Sequence, residues 1–141
     1  MNKKRLEIYL SKLKGFEELD IKLEQYQIEG SLAAEILMLA ENDIKNKVVA
    51  DLGCGNGIFG IGALLLGAKL AYFVDLDKKA IETAKKNAEN FSNTKFYNLD
   101  VSEFNKKCDT IIMNPPFGVQ KNNADRIFLE PGFKISDIVY S

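Results

Sequence analysis

The chain has 141 residues, of which 46% are hydrophobic and 28% charged, a length and composition that suit one folded globular domain and argue against disorder. The net charge of −1 argues against nucleic-acid binding by bulk charge. Because the sequence contains no histidine, a histidine-based triad, a histidine metal site and a c-type haem are excluded. The two cysteines form no CxxC pair, and no apolar segment is typical of a secretory signal or a membrane span, so we expect a reduced, cytosolic protein.

Two helices are predicted before the first strand. Leucines at helical spacing predict a helix over residues 3–14 that ends at Gly15. Ser31 is suitably placed to cap a second helix that runs to Ala40. Five basic side chains lie within the first fourteen residues. We interpret them as a solvated helix face, with a phosphate-facing arm as the alternative.

From residue 47 onward, short apolar runs alternate with helical patterns. Strands are predicted at residues 47–52, 70–74, 95–99 and 110–113, and residues 138–140 are again β-rich. Helices are predicted between the first strands, one over residues 58–66 and the next after Asp77, which is expected to cap it. This alternation predicts an α/β fold built on a doubly wound parallel sheet with helices on both faces.

The residues with distinctive chemistry follow the ends of the predicted strands. They are residues 51–57 after the first strand, Asp75 after the second, Asp100 after the third and residues 114–117 after the fourth. Ligands of open α/β sheets bind beyond the carboxyl ends of the strands. Several candidate positions along one sheet edge are stronger evidence for a site than any single motif.

The segment DLGCGNGIFG, which begins at Asp51, predicts a tight turn into a helix, because glycine allows positive φ and close approach of a ligand. Such a turn offers backbone N–H groups to an anionic group. Two cofactors fit the spacing. The pattern GxGxxG over residues 55–60 fits a dinucleotide, whereas the alternate glycines Gly53, Gly55 and Gly57 after the aspartate fit S-adenosylmethionine. A glycine-rich turn without a ligand is the third possibility.

Two acidic residues follow the next two strands. Asp75 lies at the distance from the glycine segment that suits a carboxylate accepting both ribose hydroxyls, in either cofactor class. Helix capping is the alternative role, although Asp77 is better placed for it. After the third strand, the Asp100 carboxylate is expected to accept from the amino group of an adenine, with Val101 against its ring. A simple turn aspartate is the alternative.

Residues 114–118 read NPPFG and follow the fourth strand. The two prolines remove two backbone donors, and Pro116 fixes the turn. The carbonyls of Asn114 and Pro115 are expected to point into the site and hold the hydrogens of a planar amino group, so that its nitrogen lone pair faces an electrophile. Phe117 offers a ring on which a base stacks, worth roughly 1–3 kcal/mol. Methylation of an amino nitrogen needs these groups, whereas hydride transfer by a NAD-dependent oxidoreductase does not.

Taken in order, DLGCGNG, Asp75, Asp100 and NPPF resemble class I S-adenosylmethionine-dependent methyltransferases of the N6-adenine branch. The likeness is strongest to archaeal RNA methylases related to the eukaryotic small-subunit rRNA adenine-N6 methyltransferase, and it covers nearly the whole chain. The resemblance implies a Rossmann-like core over residues 46–141, preceded by a helical cofactor-lid and substrate segment over residues 1–45. The family sheet has seven strands, so we expect the sheet of this chain to lack its last strands.

The resemblance also implies the residues of the site. The implied catalytic residues are Asn114, Pro115, Pro116 and Phe117. The implied cofactor contacts are Gln25, Tyr26, Asp51, Gly53, Gly55, Gly57, Asp75, Leu76, Asp100, Val101 and Asn114. The sulfonium methyl of S-adenosylmethionine is already activated, so such an enzyme mainly aligns donor and acceptor and excludes water. No metal is implied.

The partners implied by the resemblance are an RNA substrate, expected to be ribosomal RNA, and a small zinc-binding activator subunit. The activator would pair with the third strand, near Phe96 and Tyr97, at the edge of the sheet. Alternatives remain open. The same turn suits a methyltransferase of protein glutamine or DNA adenine, and a non-catalytic cofactor-binding fragment or a NAD-dependent oxidoreductase is also compatible with part of the pattern. Ile28 stands where the family often has threonine, and Pro131 interrupts an expected helix.

Overall fold

The computed structural model describes residues 1–15, 30–113 and 138–140. The helices are α1 (Lys3–Ser11), α2 (Gly30–Leu39), α3 (Ile58–Leu65) and α4 (Lys78–Asn87). The strands are β1 (Val48–Leu52), β2 (Leu70–Asp75), β3 (Thr94–Asn98), β4 (Thr110–Met113) and β5 (Ile138–Tyr140). Short 3-10 helices occupy Glu41–Asp43 and Val101–Glu103. None of the described helices is long and apolar enough to cross a membrane.

The strands form one parallel sheet in the order β3-β2-β1-β4-β5, which confirms the predicted parallel α/β arrangement. The register sets Leu52 opposite both Val74 and Met113, and Asp75 opposite Asn98. The segments that follow β1, β2, β3 and β4 therefore start side by side along one edge of the sheet. This edge is where the sequence predicted the ligand to bind.

Strands β1 and β4 are buried because their sequences are apolar almost throughout. All four residues of β4 are buried, as are four of the five residues of β1. A continuous apolar run is typical of a parallel strand covered on both faces. The exception in β1 is Asp51, which is only 1% exposed and belongs to the candidate site.

Helix α3 is apolar on every side because it lies between the sheet and the N-terminal helices. Both α1 and α2 pack against it. A Cβ atom added at Gly60 would lie 2.3 Å from a ring carbon of Phe73 in β2, and one added at Gly62 would lie 2.3 Å from a methyl carbon of Leu37 in α2. Glycine at these two positions therefore permits the close packing of the three layers.

The described α-helices all lie on one face of the sheet. Residues of α1, α2, α3 and α4 join a single hydrophobic cluster with that face. The other face is covered by a smaller cluster that contains Val101 and Phe104, against which Tyr72 and Tyr97 pack. Of the helices predicted for both faces, those in the described parts of the chain cover one face only.

Two predicted helix ends differ from the structure. Helix α1 ends at Ser11 rather than continuing to residue 14, because the backbone N–H of Lys14 donates to the side chain of Asn87, 2.8 Å away, instead of extending the helix. Ser31 lies inside α2, which begins at Gly30, so the prediction that Ser31 caps the helix is wrong. A side chain at Gly30 would strike Ser11, which explains the glycine at this close approach of α2 to α1.

Candidate cofactor site

The loop between β1 and α3 adopts the conformation that the glycine pattern predicted. Gly53, Gly55 and Gly57 have φ angles of 72°, 56° and 88°, in the left-handed region that favours glycine. At Gly57, which directly precedes α3, a Cβ atom would also lie 3.2 Å from both Ala84 and the ring of Phe73. The alternate glycines are therefore required by backbone conformation, and Gly57 by packing as well.

The loop is hydrogen-bonded to β2 through its own N–H groups. The N–H groups of Gly53 and Cys54 donate to the carbonyl of Val74, at 2.8 and 3.0 Å. The N–H of Gly55 donates to Asp75 Oδ2 at 2.9 Å. These three donors are bonded within the protein and are therefore not available to an anionic group.

The start of α3 uses its donors in the same way. The N–H of Ile58 donates to Asn56 Oδ1 at 3.2 Å, and the N–H of Gly60 donates to Asp51 Oδ2 at 2.9 Å. A dinucleotide needs free N–H groups at this position to hold its pyrophosphate. Gly60, the third glycine of the GxGxxG pattern, instead allows α3 to pack against Phe73, and its N–H donates to the buried carboxylate of Asp51.

Two buried or partly buried carboxylates lie beneath the loop. Asp51 Oδ1 has no hydrogen-bond partner within the described parts of the chain. Burial raises the pKa of Asp51 well above its ordinary value, the N–H of Gly60 opposes the rise, and the charge of Asp75 adds to it. Burial also raises the pKa of Asp75, against the lowering effect of the Asp77 and Gly55 N–H groups. Within the described parts of the chain, no positive charge is among the causes of either shift.

This charge pattern separates the two cofactors that fit the sequence. Two neighbouring carboxylates repel the pyrophosphate of a dinucleotide and attract the sulfonium and ammonium groups of S-adenosylmethionine. The partnerless oxygen of Asp51 is an acceptor that a ligand donor can satisfy. The described residues therefore fit S-adenosylmethionine and do not fit a dinucleotide.

Asp75 accepts backbone N–H groups on both of its oxygens. Its Oδ1 accepts from the N–H of Asp77 at 2.8 Å, and its Oδ2 accepts from the N–H of Gly55 at 2.9 Å. Contact of Asp75 with ribose hydroxyls stays a prediction. Asp77 caps α4 as predicted, since its side chain accepts from the N–H of Lys79.

Leu76 presents an apolar side chain at the sheet edge beside Asp75. It is 71% exposed. Asn98, which ends β3, holds the backbone here, because its Nδ2 donates to the carbonyls of Asp75 at 3.0 Å and Leu76 at 2.9 Å. No local pattern indicated this function for Asn98, because an asparagine at a strand end is common in any turn.

The Asp100 side chain caps a turn in the described structure. Its Oδ1 accepts from the N–H and the hydroxyl of Ser102, both at 2.9 Å. Val101 is 5% exposed and packs in the cluster on the second sheet face. The turn-capping alternative is thus realised for Asp100, and contact of either residue with an adenine stays a prediction.

The implied catalytic residues lie outside the described residues, as do Gln25 and Tyr26. The NPPF segment nevertheless follows directly on a described strand. Strand β4 ends at Met113, which lies opposite Leu52 at the start of the glycine loop. Asn114 is therefore the next residue after a strand that ends beside the cofactor site.

Comparison with known proteins gives a consistent result. Residues 31–130 match the family described as Methyltransferase small domain. The rRNA N(6)-adenosine-methyltransferase METTL5 of Danio rerio is 41% identical over all of this chain and 73% of its own length. The Drosophila melanogaster protein of the same description is 37% identical over 98% of this chain and 70% of its own. The crystal structure of a candidate RNA methyltransferase from Pyrococcus horikoshii is 51% identical, with a TM-score of 0.91, over 97% of this chain and 71% of that one.

Fold, site and relatives together define a class I methyltransferase, an S-adenosylmethionine-dependent enzyme with a Rossmann-like fold. Within that class, the chain belongs to the methyltransferase small-domain family. The resemblance, the fold class and the cofactor inferred from the sequence are thereby confirmed. The NAD-dependent oxidoreductase is eliminated as an alternative.

The buried carboxylate of Asp51 predicts a particular dependence of stability on pH. A carboxyl whose pKa is raised on folding binds its proton more tightly in the native state, so the free energy of unfolding falls as pH rises through the raised pKa. Asp51→Asn keeps an acceptor for the N–H of Gly60 but removes the charge. We expect the fall of the free energy of unfolding, measured from pH 5 to pH 8, to be smaller in this variant than in the wild-type chain.

Urea unfolding followed by circular dichroism at four pH values measures this effect. The chain has no histidine, so few other groups titrate in the range. The control is Glu82→Gln, which neutralises an exposed carboxylate on α4. Equal slopes for the wild-type chain and Asp51→Asn would contradict the assignment of a raised Asp51 pKa.

Proposed function

We propose that the chain methylates the N6 nitrogen of adenine in RNA, with ribosomal RNA as the substrate class and S-adenosylmethionine as methyl donor. The observation that carries the proposal is the juxtaposition of two functions on one sheet edge. The Asp51 and Asp75 carboxylates lie beneath the glycine loop, and the neighbouring strand β4 leads directly into the NPPF run. The Danio rerio and Drosophila melanogaster relatives are named as rRNA N(6)-adenosine-methyltransferases.

The described residues suggest how the cofactor is held. Asp75 has free acceptor positions for the ribose hydroxyls, and the exposed Leu76 side chain offers an apolar surface to the adenine. Asp51 supplies a buried carboxyl oxygen that has no partner among the described residues and can accept from a donor of the ligand. When bound, S-adenosylmethionine supplies a methyl group on a positively charged sulfur, which needs no further activation. The protein then contributes position, charge complementarity and exclusion of water.

The acceptor side of the site follows from the sequence of the turn. The carbonyls of Asn114 and Pro115 accept the two hydrogens of the adenine amino group, so that its lone pair faces the methyl carbon. Pro116 fixes the turn, and Phe117 stacks on the base. No general base is needed before transfer, because the nitrogen loses its proton after the methyl group has added. An adenine in structured RNA must first leave its stack to reach such a pocket.

RNA is favoured over protein glutamine and DNA adenine by the relatives with full-chain similarity. The turn itself suits any planar amino group. Incubation with radiolabelled S-adenosylmethionine and separate pools of RNA, DNA and protein tests the choice. Label incorporated into RNA at the N6 position supports the proposal, and label confined to protein or DNA would overturn it.

The proposal includes a partner, a small zinc-binding activator subunit that adds a strand next to β3. Strand β3 is one of the two edge strands of the described sheet. The N–H of Ala71 donates to the carbonyl of Asn93, and bonds alternate along a parallel ladder, so the backbone groups of Thr94 and Phe96 point away from β2. The side chains of Phe96 and Tyr97 are partly buried beside this edge. Such an edge suits strand addition.

Thr94→Pro distinguishes loss of strand pairing with the partner from loss of folding. Proline is tolerated at the first residue of an edge strand, but it removes an outward N–H. We expect near-normal urea unfolding and loss of co-purification with a co-expressed zinc-binding subunit. Thr94→Ala, which keeps the N–H, is the matched control and should still co-purify. A complex of Thr94→Pro as stable as that of the wild-type chain would overturn the proposed mode of pairing.

Two substitutions should divide catalysis from cofactor binding. Asn114→Ala removes the side-chain carbonyl, an acceptor for the amino group, so we expect methyl transfer to fall about a hundredfold, the order of effect that misplaced reactants produce, while S-adenosylmethionine still binds. Asp75→Ala removes the ribose acceptor and should raise that constant. Single-turnover transfer and calorimetric titration measure the two quantities. Unchanged transfer in Asn114→Ala, or unchanged binding in Asp75→Ala, would remove that residue from its proposed role.

A further inference from the structure

The side chain of Asn87, at the end of α4, joins two segments that are distant in sequence. Its Nδ2 donates to the carbonyl of Lys14 at 2.8 Å and to the carbonyl of Asn56 at 2.9 Å. Its Oδ1 accepts from the N–H of Lys14 at 2.8 Å. Both amide hydrogens and the oxygen are therefore bonded, all to backbone atoms. An asparagine has no further hydrogen to donate.

Asn56 completes the cross-link from the side of the glycine loop. Its Nδ2 donates to the carbonyl of Lys14 at 3.2 Å, and its Oδ1 accepts from the N–H of Ile58. The backbone after α1, the tip of the loop and the end of α4 are thus held by one polar cluster. We call this set, made of the Asn87 and Asn56 side chains and the Lys14 backbone, the asparagine clamp.

The clamp holds the tip of the loop, where the flanking glycines give the backbone its greatest conformational freedom. Asn56 lies between Gly55 and Gly57, both at positive φ, and glycine is the residue with the greatest conformational freedom. The β2 side of the loop is fixed by the bonds to Val74 and Asp75. Asn87 supplies a fixed point from α4, since it holds the carbonyl of Asn56.

We propose that Asn87 is a positioning residue for the cofactor site: by holding Asn56 and Lys14, it fixes the glycine loop in the shape that binds S-adenosylmethionine. The proposal rests on the proposed function, because it takes the loop as the cofactor site. Because the clamp residues bond to the loop and to the segment after α1, we expect its loss to weaken cofactor binding and not to slow transfer from the bound complex.

Asn93 provides a matched control for a role that is only structural. Its Nδ2 also donates to two backbone carbonyls, those of Ala68 and Lys69, at 3.2 and 3.3 Å. These bonds lie where β2 and β3 begin, whereas the cofactor site lies at the carboxyl ends of the strands. Asn93→Ala therefore removes the same kind of long-range amide bonds without touching the loop.

The experiment compares the wild-type chain with Asn87→Ala, Asn87→Asp and Asn93→Ala. Calorimetric titration with S-adenosylmethionine gives the dissociation constant and, from the stoichiometry, the folded fraction. Methylation of RNA gives KM for the cofactor and kcat. We expect Asn87→Ala to raise the dissociation constant and KM about tenfold, as the loss of several modest hydrogen bonds suggests, with kcat within about twofold. Asn87→Asp should bind more weakly still, because a carboxylate oxygen would face the carbonyls of Lys14 and Asn56. Asn93→Ala should bind as the wild-type chain does.

Hydrogen exchange provides a readout that does not depend on activity. The amide of Lys14 donates to Asn87, so it should exchange faster in Asn87→Ala and remain protected in Asn93→Ala. Equal dissociation constants for Asn87→Ala and the wild-type chain would overturn the positioning role and leave the proposed function intact. A rise of the same size in Asn93→Ala would overturn it as well, since general destabilisation would then suffice. A wild-type chain that binds no S-adenosylmethionine would overturn the proposed function, and the clamp with it.

Discussion

The site depends on two carboxylates held beneath a glycine loop at the ends of neighbouring strands. Asp51 accepts from the N–H of Gly60, and Asp75 accepts from the N–H of Gly55. These bonds tie the loop to β1 and β2 and set the direction in which α3 leaves the sheet. The third constraint is the ring of Phe73, which lies against Gly60 and allows α3 to approach only because that residue has no side chain. Strand order, loop shape and helix packing therefore meet at the same few residues.

The burial of these carboxylates costs free energy that the fold alone does not recover. An oxygen of Asp51 lacks a partner within the described residues, and burial raises the pKa of both groups. A buried acid without a positive neighbour is a feature that proteins retain at functional sites. In the proposed site a cationic ligand would provide the missing charge, which would account for an aspartate in a core strand of apolar residues. Asp51 therefore lowers the stability of the free protein and, in the proposed site, favours binding of the cofactor.

Much of this arrangement could be predicted from local patterns. The alternation of apolar runs and helices predicted the parallel sheet, and the residues after its strands predicted the edge on which the site lies. The alternate glycines predicted a loop with positive φ. These features depend on sequence neighbours within one or two elements, where periodicity and spacing carry the information.

The parts that could not be predicted depend on contacts between distant residues. Helix α1 ends early because Lys14 is bonded to Asn87, which is 73 positions away. The loop N–H groups were expected to face a ligand, but the acceptors that use them, Val74 and Asp75, belong to the next strand. Asn87 and Asn98 have no local pattern that distinguishes them from surface asparagines. Their role is visible only once the chain is folded, because each holds backbone carbonyls of another segment.

The glycine loop and its two carboxylates are proposed to form a site for a cationic cofactor. Calorimetric titration of the chain with S-adenosylmethionine and with NAD, each at pH 5.5 and pH 7.5, tests this directly. We predict that only S-adenosylmethionine binds, and that it binds more tightly at the higher pH, because carboxyl groups whose pKa is raised are more fully ionised there and attract its positive charge. Binding of NAD with equal or higher affinity, or S-adenosylmethionine affinity that is the same at both pH values, would show that the site is not built for a cationic cofactor.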